Sequence, residues 1–154
     1  MKHILIALDY DPTAQKVAEQ GYQFFKNGDT LFTLMHVIGE PSQYAGSGYD
    51  AIMGFTGYYN EAILEVSYVK QLIQSSHEYL DKTKLHLGDE NINTLVKEGD
   101  LADTIIDTAK EINADVIVMG SHSKRWLENI VMGSITEKVL RHVYKPLFII
   151  PTKK

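Results

Sequence analysis

Short apolar runs alternate with stretches of helical periodicity along this chain of 154 residues, and that alternation restricts the fold more than any other feature. Ile4–Leu8, Leu31–Val37, Asp115–Met119 and Leu147–Ile150 are rich in β-branched residues, almost continuously apolar and too short for helices. Strands that read this way are covered on both faces, as in a buried parallel sheet. A fifth run, Ile92–Lys97, alternates apolar with polar residues and suits an exposed edge.

The segments between these runs carry helical spacing. Ala14, Val17, Ala18, Gly21, Tyr22 and Phe25 share one face of a helix that follows Pro12, a favoured first-turn residue. Ile63, Val66, Val69, Ile73, His77 and Leu80 mark a long second helix. Asp100 is placed to cap a third, with Leu101, Ile105, Ala109 and Ile112 facing inward. Ile135, Val139, Leu140 and Val143 mark a fourth, which ends before Lys145-Pro146. The order βαβαβαβαβ demands right-handed crossovers. It therefore predicts an α/β fold, a doubly wound five-stranded parallel sheet with helices on both faces. No linker or repeat divides the chain, so residues 1–154 read as a single domain. The glycine- and tyrosine-rich run from Gly39 to Asn60 is long for a connection inside one domain. It reads either as a functional lid or as a surface excursion.

Composition narrows the function. Fifteen Lys and Arg against 20 Asp and Glu leave a formal charge of −5. Neither a nucleic acid nor an anionic membrane gains from meeting a net anion, so neither is expected as a partner. The absence of cysteine excludes disulfides, thiolate chemistry and Cys-ligated metal centres. The opening Met1–Asp9 is apolar for too few residues to act as a signal peptide or membrane span, which predicts a cytoplasmic protein. No Ser-His-Asp arrangement or carboxylate pair is visible, and no enzyme is predicted.

The strongest chemical signal lies at residues 120–136. Asp115–Met119 runs into Gly120, a loop with Lys124 and Arg125 follows, and Gly133-Ser134 opens an amphipathic helix. A strand that delivers its chain to glycines and a helix N-terminus presents backbone N–H groups and a positive dipole end to an anion. In an open α/β sheet, ligands bind beyond the carboxyl ends of the strands, where strand order reverses. Asp9, Val37 and Gly120 stand at three such ends.

These residues resemble the universal stress protein family, of the UspA-like type. The likeness rests on Ile6-Ala7-Leu8-Asp9, on His36-Val37, and on the terminal Pro146-Leu-Phe-Ile-Ile-Pro151. It rests above all on a motif of glycine, two residues, glycine, nine residues, then glycine with Ser or Thr. Gly120, Gly133 and Ser134 match that spacing, followed by Ile135-Thr136-Glu137-Lys138-Val139-Leu140, whereas Ser123 stands at the middle glycine position. A side chain there costs on the order of 1 kcal/mol if the backbone takes positive φ, although its hydroxyl can donate to a phosphate.

The resemblance implies a strand order of 3-2-1-4-5 in an adenine nucleotide alpha hydrolase-like fold. It implies an ATP or AMP site in a stress response, working by nucleotide-dependent conformational signalling. The phosphates would meet Gly120, His122, Ser123, Lys124, Arg125, Gly133, Ser134, Ile135 and Thr136. The nucleoside end would meet Ala7, Leu8, Asp9 and Val37. No protein-bound metal is expected, although Asp9 and Asp11 could reach a Mg²⁺ that travels with the nucleotide. Any ATP hydrolysis would be slow, for want of a recognisable base or arginine finger. A homodimer through strand 147–150 is implied, with a further protein partner unknown. The alternative is a nucleotide-independent dimeric scaffold. At single positions other readings stay open: Asp9 or Asp11 as the cap of the first helix, and Ser134 as a helix N-cap.

Overall fold

The computed structural model describes residues 1–39, 61–121 and 133–152. Strand β1 (Lys2–Leu8) lies at the centre of a parallel sheet. On one side it pairs with β2 (Thr30–Ile38), which pairs in turn with β3 (Asn93–Glu98). On the other side it pairs with β4 (Val116–Gly120), beyond which lies β5 (Leu147–Ile150). The order β3-β2-β1-β4-β5 is the expected one. The alternating run is an edge strand, displaced by one residue so that Ile92 is buried just before it begins.

The helices are α1 (Ala14–Phe25), α2 (Glu61–Leu87), α3 (Leu101–Glu111) and α4 (Ser134–His142). The period of two in β1 sorts the core into layers. Ile4, Ile6 and Leu8 pack with Phe32, Leu34, Val17 and Leu80 beneath α1 and α2. Leu5, Met35, Val37 and Ile117 pack with Ile105, Ala109 and Val139 beneath α3 and α4. Both faces of the central strands are thus covered, which is why those strands read as continuous apolar runs.

A local signal explains the start of α3. Asp100 caps α3 by accepting from the Asp103 amide at 2.9 Å, as its position predicts. Gly99, at φ +139°, turns the chain into that cap. Hydrogen bonding to the Asp103 amide, and then to Lys138, holds the Asp100 carboxyl below the ordinary carboxylate range.

The first helix follows Pro12, as expected, and starts at Ala14. Two expectations need correction. His77 does not face the core of α2: it is exposed, and Ser76 is fully buried in its place. The inward stripe runs through Ile73, Ser76, Leu80 and Thr83, and the polar Ser76 is accommodated because its hydroxyl donates to Leu72 O at 2.7 Å. Leu140 is 47% exposed, because α4 buries the adjoining line of Thr136 and Val139. The segment 40–60, with its tyrosines and glycines, lies outside the described residues.

Candidate functional site

Strand order reverses between β1 and β4, with β2 on one flank and β5 on the other. The carboxyl ends of these central strands border a cleft of about 70 Å³. Its apolar walls come from Ala7 and Leu8 on β1, Met35 and Val37 on β2, Leu101 and Ile105 on α3, and Met119 on β4. Ala14 and Val17 close it from α1. Asp9, Thr13, Gly120 and Thr136 bring polar groups, and Ile135 adds the first turn of α4.

The turn after β1 separates the roles of its carboxylates. Asp11 accepts from the Thr13 amide at 2.9 Å and the Thr13 hydroxyl at 2.6 Å through one oxygen, Oδ1. Its carbonyl also receives the Ala14 amide, so Asp11 holds the turn that leads into α1, whose N-cap is Thr13. Asp9 Oδ1 accepts the Asp11 amide at 2.9 Å, which orients a carboxylate that lines the cleft. Asp9 is felt nearby: burial first, then the charge of Asp9, drive the Tyr79 hydroxyl above its ordinary pKa.

At the opposite end, Gly133 is the N-cap of α4, with extended φ −66° and ψ 154°, and as a glycine it offers the helix no side-chain cap of its own. Ser134 is therefore its first helical residue and not its cap, which corrects that reading. An extended backbone at position 133 places a glycine where a capping hydroxyl would otherwise stand, so position 133 itself gives the first-turn amides of α4 no side-chain acceptor. Thr136 is buried and donates to Gly120 O at 2.9 Å, tying α4 to the end of β4.

Of the residues named from sequence, Ala7, Leu8, Asp9, Val37, Gly120, Ile135 and Thr136 thus line one cleft. Gly133 and Ser134 adjoin it at the start of α4 but are not among its lining residues. His122, Ser123, Lys124 and Arg125 lie outside the described residues. Sequence reasoning missed Met35, Met119, Leu101 and Ile105 as walls. The signal was present in part, because Met35 shares a strand face with Val37 at the period of two.

An aromatic cluster around the buried His36 stands behind the cleft on the α2 side. His36 is 5% exposed, its ring 4.4 Å from that of Tyr10 and 6.2 Å from that of Tyr79. Its Nδ1 lies 2.8 Å from Leu8 O. A carbonyl only accepts, so Nδ1 carries the proton of the neutral ring. Ser76 spends its own proton on Leu72 O, so Tyr10 donates to Ser76 Oγ at 2.7 Å. Burial holds the His36 pKa below its ordinary value of 6.5, opposed in part by the bond to Leu8 O.

A depressed folded pKa means that the unfolded chain binds the proton first on acidification. The stability this contributes is complete above the unfolded value and is lost as pH falls through it towards the folded pKa. The denaturant midpoint is expected to drop between about pH 7.5 and about pH 5. His36→Asn, which keeps a donor towards Leu8 O, should flatten that dependence. An unaltered pH profile in the variant would assign the titration to other groups.

The chain matches the universal stress protein family over residues 1–151. Universal stress protein MJ0577 of Methanocaldococcus jannaschii is 26% identical, over 99% of this chain and 96% of that protein. Universal stress protein A of Escherichia coli is 23% identical, over 99% and 95%. The solved structure of MJ0577 superposes with a TM-score of 0.75 at 23% identity, covering 99% and 97% of the chains. A universal stress protein solved in complex with cAMP superposes with a TM-score of 0.62 at 15% identity, covering 99% and 98%. Fold and full-length match agree, and this chain belongs to the universal stress protein family.

Proposed function

We propose that the cleft at the β1/β4 switch point binds an adenine nucleotide, ATP or AMP, and that occupancy signals to a partner in a stress response. The observation that carries this reading is a convergence. A carboxylate oriented by its own turn and an apolar slot meet near a helix N-terminus whose N-cap residue is a glycine. The base fits the slot of Ala7, Leu8 and Val37, where β2 also offers backbone groups. Asp9 accepts from the nucleoside. The phosphates meet Gly120 and the first turn of α4 at Gly133, Ser134, Ile135 and Thr136, where amides and dipole favour an anion. From sequence, His122, Ser123, Lys124 and Arg125 complete the phosphate end. Mg²⁺ accompanies the phosphates and needs few protein ligands.

The protein acts by binding, and any ATP hydrolysis is slow. In this reading it works in the cytoplasm as a homodimer through strand 147–150. The half-buried Leu147, Phe148 and Ile149 of the edge strand β5, with Phe24 65% exposed against Phe148, suit a second copy. Among the described residues no helix is long and apolar enough to cross a membrane.

Calorimetry on nucleotide-stripped protein tests the proposal. With Mg²⁺ present and nucleotide at a hundred times Kd, binding should stabilise the fold by about 2.7 kcal/mol. No shift with either ATP or AMP, in a protein that still dimerises, would leave the β5 edge as the functional surface and favour a nucleotide-independent scaffold.

A further inference from the structure

The chain beyond β5 returns to the end of β4. Ser121 and Thr152, each 7% exposed, meet there although 31 residues separate them. Ser121 Oγ accepts the Thr152 amide at 3.0 Å and lies 3.3 Å from the Thr152 hydroxyl. The Ser121 amide donates to Ile150 O at 2.9 Å, and its carbonyl accepts the Gly133 amide at 2.7 Å. Lys16 of α1 fastens the same tail by donating to Pro151 O at 2.9 Å.

Every polar group of Ser121 is therefore engaged, and the bonds form a relay. The tail holds Ser121, Ser121 holds Gly133, and Gly133 is the N-cap of α4. A buried hydroxyl pair is costly unless it is hydrogen-bonded, and here the two side chains and the Thr152 amide bond to one another. If the first-turn amides of α4 receive phosphate, their position is fixed from the C-terminal tail.

We propose that Thr152 and Ser121 are positioning residues for the phosphate end of the nucleotide site. The inference rests on the nucleotide reading above. Neither residue needs to touch the ligand: they set where β4 ends and α4 begins, while Asp9 and Val37 hold the nucleoside end independently.

Isothermal titration with ATP–Mg²⁺ and, separately, with adenosine tests this in the full chain. A hydroxyl-mediated bond of ordinary net worth corresponds to about 3- to 10-fold in Kd. Ser121→Ala, which strands the Thr152 amide, should weaken ATP about 10-fold, and the near-isosteric Thr152→Val about 3-fold. Adenosine affinity should stay at the parent value in both, and Thr152→Ser should bind ATP as the parent does. Equal losses for ATP and adenosine, or a lowered melting temperature with unchanged ATP affinity, would mean a purely structural role and overturn the proposal. So would parent-like ATP binding by both variants. A parent protein that binds neither compound defeats the nucleotide reading itself, and this inference with it.

Discussion

Asp9→Ala is expected to weaken ATP binding by about 30-fold, within the range for a hydrogen bond to a charged group. The structure gives this residue two duties that the substitution removes together. One oxygen receives the Asp11 amide and so shapes the turn after β1. The carboxylate also lines the cleft where the nucleoside end is proposed to sit. Asp9→Asn separates the duties, because it retains an acceptor for the Asp11 amide and loses the charge. Its melting temperature should match the parent, and its affinity should fall between those of the parent and Asp9→Ala. Titration calorimetry on the three proteins, with unfolding of each apo form as control, gives the comparison. Parent-like ATP affinity in Asp9→Ala would remove Asp9 from the site.

Gly21→Val is expected to destabilise the fold by about 3 kcal/mol through overpacking. Gly21 is buried on the face of α1 that packs against the sheet. A Cβ added there would stand 2.9 Å from Val118 Cγ1 and 3.3 Å from Ile6 Cδ1. Ile6 and Val118 are partners on adjacent central strands and neither is accessible to solvent, so they have little room to yield. For a domain of this size the change corresponds to a fall in melting temperature of about 9 °C. Gly21→Ala should cost only about 1 kcal/mol, since alanine regains about 1 kcal/mol of helix propensity. Thermal unfolding of both variants decides the matter. A Gly21→Ala protein more stable than the parent would show that α1 can retreat from the sheet.

The legible part of the site followed from strand ends. Once Ile4–Leu8 and Asp115–Met119 read as central strands, Asp9 and Gly120 had to emerge at neighbouring positions. The cleft that joins them adds walls that looked like ordinary core. Leu101 and Ile105 carry no chemical mark in the sequence, and only the packing of α3 against β2 brings them to the cleft. Helix phase shows a similar limit. Stripes through Ser76 or through His77 both satisfy helical spacing from Ile73 to Leu80. The choice fell to Ser76 because its hydroxyl bonds to Leu72 O and receives Tyr10.

By itself the sequence determined the class of fold, the order of its elements and the crevice in which chemistry could occur. Those follow from periodicity, chain direction and the handedness of crossovers, which are local or generic properties. Tertiary structure decided the assignments that depend on distant partners. It gave Asp11 to α1 and left Asp9 on the cleft, made Gly133 rather than Ser134 the cap of α4, and joined Thr152 to Ser121. A hydrogen bond across 31 residues leaves no period or spacing to read. It exists because parallel pairing of β4 with β5 brings the chain beyond each strand to the same end of the sheet.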